Sequence, residues 1–292
     1  MHQGTGRFAP SPTGPLHLGS LVAAMASWLD ARASGSRWLV RLEDIDRPRE
    51  VRGAARQILG ALASHGFRWD GPVVRQSERT ALYERAFERL RAQGSIYPCA
   101  CSRRDVEAMG AAVDGAPCGP IYPGTCRHGL GDRPARAWRM RVPEGDHAFD
   151  DRAAGRVSQD LAREVGDFVV RRADGFWAYQ LAVVVDDAQQ GVTDVVRGAD
   201  LLDSTPRQRL LQDALGLPHP RTLHVPLVMD ADGRKLAKSN GATALDPATP
   251  LPALREAARH LHLAVGAASG VADFWEQATA AWTRRWAIEP AR

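Results

Sequence analysis

The stretch RFAPSPTGPLHLGS, residues 7–20, decides the fold because a strand, a turn and a helix meet there. TGRFAPS (5–11) predicts a short strand, and the apolar residues that come next repeat with the period of a helix that ends near Gly35: Leu18, Leu21, Val22, Met25 and Leu29. A helix that begins directly after a small-residue turn presents backbone N–H groups to an anion such as a phosphate. We therefore expect a nucleotide-binding turn, in which Gly14 and Gly19 permit close approach and His17 donates to a phosphate.

The order of elements along the chain predicts an α/β fold with a doubly wound parallel sheet of the Rossmann type. RWLVRLED (37–44) alternates like a strand, and helices are expected near residues 57–65 and 78–93. DFVVRR (167–172) and WAYQLAVVVDDA (177–188) are expected to be strands, and LLDSTPRQRLLQDALG (201–216) a capped helix. We divide the chain into a first half of the nucleotide-binding domain (1–96), a cysteine-containing insertion (97–165), a second half of that domain with the KLAKS loop (166–243) and a short helical C-terminal part (244–292).

The composition is that of a globular protein with a mild basic excess. Of its 292 residues, 44% are hydrophobic and 25% charged, and the net charge is +4. This excess is compatible with a nucleic-acid partner. The sequence carries no signal-peptide pattern and no apolar run long enough to span a membrane, so we expect a cytoplasmic protein without a membrane partner. In that compartment the four cysteines are not expected to form structural disulfides.

The only lysines of the chain, Lys235 and Lys238, both lie in KLAKS (235–239), whereas the other basic residues are arginines. A lysine ammonium is a compact charge on a flexible stem, which suits contact with a phosphate that moves during reaction. PLHLGS (15–20) and KLAKS resemble the two signature sequences of the class I aminoacyl-tRNA synthetases. The resemblance implies that His17, Lys235 and Lys238 are catalytic, and that Gly14, His17, Gly19 and Lys238 bind ATP, which enters with Mg²⁺. Two departures, Ser20 and Ala237, replace a histidine and a serine of these signatures, and their effect on rate is open.

Further stretches resemble the glutamyl- and glutaminyl-tRNA synthetase branch of that family: RFAPSPTGPLHLG (7–19), RLEDID (41–46), YQLAVVVDD (179–187) and VVRGADLLDSTPRQ (195–208). An amino acid with two carboxylates requires cationic partners and an acceptor for its ammonium group. The resemblance implies that the glutamate site consists of Arg7, Ser11, Glu43, Tyr179 and Arg197. Arg197 would favour glutamate over glutamine, because a buried arginine without an anionic partner is costly.

The insertion contains cysteines in a segment with poor periodicity, and this pattern predicts a structural zinc site. YPCACSRRD (97–105) and CGPIYPGTC (118–126) supply Cys99, Cys101 and Cys126 as three thiolate ligands. General zinc chemistry favours Cys118 as the fourth ligand. The resemblance favours Tyr122, because C-x-C followed by Y-x-x-x-C is similar to the zinc motif of the glutamyl-Q tRNA(Asp) synthetases. We choose Tyr122 and keep Cys118 as the alternative.

The length of the chain distinguishes between relatives. Residues 240–292 follow KLAKS, which is too short for the anticodon-binding region of a glutamyl-tRNA synthetase. The chain therefore resembles the glutamyl-Q tRNA(Asp) synthetases. This resemblance implies activation of L-glutamate with ATP without tRNA, then transfer to queuosine at the wobble position of tRNA(Asp), whose anticodon stem-loop would dock through phosphates. The alternatives are a truncated glutamyl-tRNA synthetase that charges tRNA(Glu) and a catalytically silent RNA-binding paralogue. We expect an enzyme that acts as a monomer.

Overall fold

The computed structural model describes residues 4–109, 120–230, 232–236 and 242–288, which fall into two compact units. Unit 1 consists of the described residues of Met1–Ser77, Gly191–Asp200 and Pro220–Arg292, and unit 2 of those of Glu78–Gln190 and Leu201–His219. With helices and strands numbered along the chain, unit 1 contains β1 (Thr5–Phe8), α1 (Leu18–Ala33), β2 (Arg37–Leu42), α2 (Ala54–Ser64), β3 (Val74–Arg75), β9 (Asp194–Gly198), β10 (Arg221–Val225), α8 (Pro250–His260) and α9 (Val271–Trp286). Unit 2 contains α3 (Thr80–Ala92), β4 (Ile96–Cys99), α4 (Arg103–Met109), β5 (Ala137–Met140), β6 (Asp146–Asp151), β7 (Gly155–Asp160), α5 (Leu161–Glu164), β8 (Val169–Arg171), α6 (Tyr179–Gln189) and α7 (Ser204–Leu215).

Unit 1 is built on a parallel sheet with the strand order β3-β2-β1-β9-β10. The chain leaves β1, forms α1 and returns as β2, which is the βαβ arrangement that the opening stretch predicts. Strand β1 is central, since its Gly6 pairs with Trp38 of β2 on one side and Asp194 of β9 on the other. This confirms the parallel Rossmann-like sheet expected from the sequence. The carboxyl ends of parallel strands form one edge, where ligands of such sheets bind.

The two faces of this sheet differ in chemistry. Successive side chains of a strand point to opposite faces, and directly paired residues of parallel strands share a face. On one face Phe8, Trp38, Val40, Leu42, Val196, Leu223 and Val225 belong to the main apolar core, together with residues of α1, α8 and α9. The other face carries the buried polar residues Arg7, Arg41, Arg197, Thr222 and His224. Burying a charged side chain is costly unless it has a polar or charged partner. This face of the sheet is therefore suited to contact such a partner rather than an apolar core.

The C-terminal helices α8 and α9 belong to unit 1. Trp282 of α9 is buried and its indole N–H donates to the Asp30 carboxylate of α1 at 3.1 Å. Trp275 of the same helix donates to the backbone carbonyl of His65, directly after α2, at 2.9 Å. The indoles satisfy their N–H groups while their rings fill the core, so α9 covers α1 and α2. The helical period expected for residues 244–292 is confirmed by α8 and α9.

Unit 2 contains one clear departure from the sequence-based expectation. WAYQLAVVVDDA was expected to be a strand, but Tyr179–Gln189 forms helix α6. A short, continuous apolar run is compatible with a buried strand or a buried helix, and contacts from elsewhere in the chain decide between them. Here Asp186 accepts hydrogen bonds from the Tyr83 hydroxyl at 2.8 Å and from Arg79 Nε at 2.5 Å, which join α6 to α3 and its start.

The remainder of unit 2 is antiparallel. Strands β4, β5 and β8 form a small sheet in that order, and β6 and β7 form a hairpin. Strand β4 ends at Cys99, so the sheet fixes the position of the first cysteine of the insertion. Over the described ranges, no helix combines the length and the apolar character needed to cross a membrane.

Candidate active site and metal centre

The turn after β1 is joined to the segment that follows β2. The Glu43 N–H donates to the carbonyl of Pro10 at 3.0 Å, and the Val51 N–H donates to the carbonyl of Pro12 at 2.9 Å. Gly14 adopts a φ of 136°, which a residue with a Cβ rarely tolerates, so the tight turn requires glycine there. Ser11 is exposed at the surface of the same turn. The rigid residues of the opening stretch therefore hold an ordered loop directly before a helix.

His17 and Ser20 form the N-terminus of α1. The Ser20 hydroxyl accepts from the backbone N–H of His17 at 2.7 Å and donates to the His17 carbonyl, also at 2.7 Å. Ser20 thus stabilises the first turn, a local function for the residue that replaces the second signature histidine. A Cβ at Gly19 would lie 3.1 Å from Cε1 of the His17 ring, so glycine keeps the space between the ring and the helix open.

The second signature begins next to this helix N-terminus. The position of a Cβ on Gly19 would lie 3.6 Å from the Leu236 carbonyl oxygen. The Leu236 N–H donates to the carbonyl of Val228 at 2.8 Å, and further along the chain the Leu245 N–H donates to the carbonyl of Leu16 at 2.9 Å. The chain before and after residues 237–241 therefore contacts the first signature. Lys238, predicted to be catalytic, lies outside the described residues, as does position 237.

Lys235 is the described lysine of the second signature. Its ammonium nitrogen lies 2.5 Å from Oδ2 of Asp200, two residues after β9. Both side chains are substantially exposed, and an exposed ion pair contributes only about 0–1 kcal/mol. A contact this weak orients Lys235 and still allows a phosphate group to replace the carboxylate. The sequence did not indicate Asp200 as a partner of Lys235.

Three residues predicted to bind glutamate lie at the carboxyl ends of neighbouring strands. Arg7 lies in β1, Arg197 is the penultimate residue of β9, and Glu43 directly follows β2. All three are buried, and the strand register puts Arg7 and Arg197 on the same face. Arg41 of β2, on that face too, lies with Nη2 3.2 Å from Oε1 of Glu43. The sequence did not identify this internal ion pair, which orients the Glu43 carboxylate.

Arg197 has a second defined neighbour. Its Nε–H donates to Nε2 of His224, the directly paired residue on β10, at 3.0 Å. His224 is a residue that sequence reasoning missed. A signal was available, because RTLHV places Thr222 and His224 on one face of a strand whose other face is apolar. Tyr179, the remaining predicted glutamate ligand, is the first residue of α6 in unit 2 and is half-buried.

The predicted metal ligands of the insertion lie together in unit 2. The sulfurs of Cys99, Cys101 and Cys126 all lie within 4.8 Å of one another and are buried. The Cys101 and Cys126 sulfurs are 3.7 Å apart, and the Tyr122 hydroxyl lies 3.4 Å from the Cys99 sulfur and 3.9 Å from that of Cys101. Tetrahedral zinc with bonds of about 2.3 Å to sulfur and 2.0 Å to oxygen requires spacings of about 3.8 Å and 3.5 Å. The residues therefore fit zinc. Cys118, the alternative ligand, lies outside the described residues.

The surroundings of the cysteines shift two of the thiols in opposite directions, because burial raises the pKa of Cys101 while the pKa of Cys126 is lowered. Burial opposes the charged form of Cys126, but hydrogen bonds from Tyr122 and the Ala100 N–H outweigh it and lower the pKa of Cys126 to about 7. The guanidinium of Arg139 lies 3.8 Å from the centre of the Tyr122 ring, and its Nε–H donates to the Cys99 sulfur at 3.3 Å. Burial raises the pKa of the Tyr122 hydroxyl, so this group stays protonated unless a cation displaces its proton.

Asp167 organises the insertion around this centre, although the sequence gave no reason to select it. Its buried carboxylate accepts from the Tyr97 hydroxyl at 2.5 Å, from two nitrogens of Arg127 at 2.5 Å, and from the Val142 N–H at 2.8 Å. Burial alone would raise its pKa, but the hydrogen bonds from Arg127 and Tyr97 hold the pKa of Asp167 below its usual value. Arg127 immediately follows Cys126, so this network also restrains the segment that contains this cysteine.

Comparison with protein families places the described geometry in context. Residues 5–249 match the family model of tRNA synthetases class I (E and Q), catalytic domain. The chain is 61% identical over 285 residues to a glutamyl-Q tRNA(Asp) synthetase of Burkholderia mallei (strain ATCC 23344), with 96% of each chain covered. It is 56% identical over 292 residues to a glutamyl-Q tRNA(Asp) synthetase of Janthinobacterium sp. (strain Marseille), covering 97% of this chain and 98% of that one.

Solved structures give a compatible result. The glutamate-tRNA synthetase of Elizabethkingia anophelis superposes with a TM-score of 0.71 at 28% identity, over 82% of this chain. A glutamate tRNA ligase from Elizabethkingia meningosepticum, solved in complex with its amino acid, matches with the same TM-score and identity. The matched part is 53% of each of those two chains, so this chain spans about half of their length.

Proposed function

Since the chain belongs to the class I tRNA synthetases (E and Q) and is therefore a ligase, we propose that it activates L-glutamate with ATP and transfers it to queuosine in tRNA(Asp). The observation that carries this proposal is the cluster of Arg7, Glu43 and Arg197 at the carboxyl edge of β2, β1 and β9, in the unit that contains both signatures. The names of the relatives, which are glutamyl-Q tRNA(Asp) synthetases, support tRNA(Asp) as the RNA in this proposal.

The amino acid is recognised by charge. Arg7 and Arg197 are cations on one face of the sheet and suit the two carboxylates of glutamate, which each accept paired guanidinium hydrogen bonds. Glu43, oriented by Arg41, accepts the ammonium group. Ser11 adds a hydroxyl contact in this proposal, and the contribution of Tyr179 stays a prediction from the resemblance. Glutamine binds less well because its neutral amide does not make the charge-assisted hydrogen bonds that a carboxylate makes with a guanidinium.

ATP binds between the two signatures. Gly14 and Gly19 give the triphosphate access to the N-terminus of α1, and His17 donates to a phosphate. A carboxylate oxygen of glutamate attacks the α-phosphorus, the bond to the bridging oxygen of the β-phosphate breaks, and pyrophosphate leaves. Lys235 and Lys238 stabilise the charge that accumulates on pyrophosphate, and Mg²⁺ accompanies the nucleotide as in other ATP-dependent reactions. These groups position reactants and stabilise charge, which is the main requirement of phosphoryl chemistry.

The second half-reaction delivers glutamate to the RNA. A hydroxyl of the queuosine cyclopentenediol attacks the carbonyl carbon of glutamyl-adenylate, an ester forms and AMP leaves. The excess of basic residues, a net charge of +4, suits an anticodon stem-loop that docks through its phosphates. In this proposal the anticodon loop, rather than the 3′ end of a tRNA, enters the active site.

The metal centre has a structural role in this proposal. Cys99, Cys101, Tyr122 and Cys126 hold one zinc ion, which joins the end of β4 to the segment that contains Tyr122. Zinc bound by four protein ligands supplies a cross-link and no open position for a substrate.

Elemental analysis of Tyr122→Phe and Cys118→Ser tests the ligand set. We expect loss of zinc from the tyrosine variant and full zinc content in the Cys118→Ser variant, and the reverse result would assign Cys118 instead.

Exchange of labelled pyrophosphate into ATP tests the activation step without RNA. We expect exchange that depends on glutamate and is weak with glutamine or aspartate. Exchange that appears only when tRNA(Glu) is added would indicate an ordinary glutamyl-tRNA synthetase. Absence of exchange under all conditions would favour the silent RNA-binding paralogue.

A further inference from the structure

Arg139 is a buried cation beside the cysteine cluster of unit 2. It lies in β5, diagonally across from Cys99 of the antiparallel neighbour β4, where Cys99 pairs with Ala137. Diagonal neighbours on one face of a sheet are within reach of a long side chain. The Arg139 Nε–H donates to the Cys99 sulfur at 3.3 Å, its Nη1 donates to the backbone carbonyl of Asp167 at 2.8 Å, and its Cζ lies 3.8 Å from the centre of the Tyr122 ring. One fixed cation therefore contacts two of the four proposed metal ligands.

The hydrogen bond from Arg139 to Cys99 becomes stronger when Cys99 binds a metal ion. A thiol sulfur is a weak acceptor, whereas the sulfur of a metal-bound cysteine is a thiolate and accepts a charge-assisted hydrogen bond. The guanidinium keeps its charge in both states, since arginine is not deprotonated in proteins. Coupling between two interactions is reciprocal, so a contact that is stronger with the metal than without it raises the affinity for the metal.

The charge of a zinc-bound centre also favours a cation at this position. Three thiolates outweigh the charge of a zinc ion by one unit, and an anionic fourth ligand, whether Tyr122 or Cys118, adds a second unit. A buried anionic centre is costly unless a cation lies beside it. Arg139 is such a cation. Arg133, whose Nη2 lies 3.6 Å from the Cys126 sulfur, is exposed, so water screens its charge more strongly.

We propose that Arg139 is a positioning residue of the metal centre. It holds the Cys99 sulfur and the Tyr122 ring in the places that zinc requires, and it balances the negative charge of the zinc-bound ligand set. The strength of zinc binding therefore depends on a residue outside the set of ligands. This inference rests on the metal centre of the proposed function and not on its amino-acid or RNA substrate.

Arg141 separates this role from a structural one. Its Cζ lies 4.6 Å from the centre of the Tyr97 ring, and its side chain donates to the backbone carbonyls of Gly94 at 3.1 Å and Arg127 at 3.0 Å. Arg139 and Arg141 thus make the same two kinds of structural contact, with a tyrosine ring and with backbone carbonyls. Arg139 contacts a cysteine sulfur in addition. If Arg139 only supported the fold, the loss of either arginine would have the same effect on zinc.

Competition between the zinc-loaded protein and a chromogenic chelator of known affinity measures the strength of zinc binding. Arg139→Gln and Arg139→Met remove the charge, Arg139→Lys keeps it, and Arg141→Gln is the matched control. Circular dichroism of each variant checks its fold. Cobalt(II) replaces zinc in a second measurement, because the charge-transfer absorption from thiolate to cobalt responds to hydrogen bonds at the sulfur ligands.

We expect the two neutral variants to bind zinc about tenfold or more weakly than the unsubstituted protein, the effect typical of residues that orient metal ligands. Arg139→Lys should remain within about threefold, because it keeps a positive charge and an N–H donor, and so should Arg141→Gln. In Arg139→Met the cobalt absorption should move to longer wavelength, because the sulfur electrons lose a stabilising hydrogen bond. Arg141→Gln should leave this absorption unchanged.

A folded neutral variant with unchanged zinc affinity would overturn the proposal, and so would equal losses of affinity in Arg139→Met and Arg141→Gln. If neither neutral variant folds, Arg139→Lys decides, since a loss of about tenfold in that folded variant would show that the charge of Arg139 does not support the centre. An unsubstituted protein that binds no zinc would overturn both the metal centre and the role of Arg139. Glutamate-dependent pyrophosphate exchange would still test the proposed activation step by itself.

Discussion

Substituting Arg197 with alanine removes the cation proposed to bind the substrate carboxylate. Arg197 is buried at the carboxyl end of β9, where little water can replace its guanidinium. A hydrogen bond to a charged group contributes about 1.5–3 kcal/mol, so a bidentate contact contributes roughly 3–6 kcal/mol. Since about 1.4 kcal/mol corresponds to a factor of ten, kcat/KM for glutamate should fall by roughly two to four orders of magnitude.

The fold should tolerate this change. Arg197→Ala removes the bond to His224, which as a hydrogen bond to a charged group contributes about 1.5–3 kcal/mol, and it also removes a buried charge whose desolvation opposes folding. These effects have opposite signs, so the free energy of unfolding should change by about 1 kcal/mol or less. Chemical denaturation followed by circular dichroism measures this quantity, and pyrophosphate exchange measures activation.

Arg221→Ala is the matched control for the loss of an arginine from this sheet. Arg221 lies at the start of neighbouring β10, is 68% exposed and pairs with Asp194 at 2.7 Å. Its removal should leave the KM for glutamate unchanged and reduce stability by about 1 kcal/mol at most. A normal KM and normal discrimination against glutamine in Arg197→Ala would refute the reasoning, and an equal loss of activity in both variants would show that the effect is not specific to the pocket.

The remaining predictions concern stability and metal content. Cys126→Ser should abolish the proposed binding of zinc, and an unchanged metal content by elemental analysis would argue against the site. Ser20→Ala should lower the free energy of unfolding by about 1 kcal/mol, because it removes both 2.7 Å bonds at the start of α1, and an unaltered urea midpoint would contradict this. Asp167→Asn should destabilise the protein by about 2 kcal/mol or more at pH 7. Because the folded state lowers the pKa of Asp167, its stabilisation is fully present above the unfolded pKa of about 4 and is lost as the pH falls through the lower folded pKa. The difference in stability between the two proteins should therefore shrink on acidification, and a difference that does not change with pH would contradict an ionised Asp167.

Local sequence patterns predicted much of unit 1. The strand, turn and helix of residues 5–33 follow from alternation, rigid turn residues and a helical period, and each of these signals is contained in a short segment. The parallel sheet followed from the order of elements. The two signatures lie close together although they are far apart in the sequence. The contact between Gly19 and Leu236 depends on the path of the chain through the whole sheet.

The features that escaped prediction depend on distant partners. The apolar run of α6 is compatible with a strand or a helix by itself, and in the helix that forms, Asp186 bonds to Tyr83 and Arg79, about a hundred residues earlier in the chain. The bond from Arg197 to His224 joins residues 27 positions apart and depends on the register between β9 and β10, which neither strand shows by itself. Single residues of ordinary type, such as Asp167, carry no local pattern at all, although the arrangement of the insertion depends on them.

Transfer of labelled glutamate, in the presence of ATP, to three purified RNAs tests the central claim most directly. The RNAs are tRNA(Asp) with queuosine, the same tRNA without queuosine, and tRNA(Glu). The account predicts label on the queuosine-containing tRNA(Asp) alone, attached at a site that survives periodate oxidation of the terminal ribose. Label on the 3′ end of tRNA(Glu) would contradict it and would identify the chain as a synthetase that charges tRNA in the ordinary way.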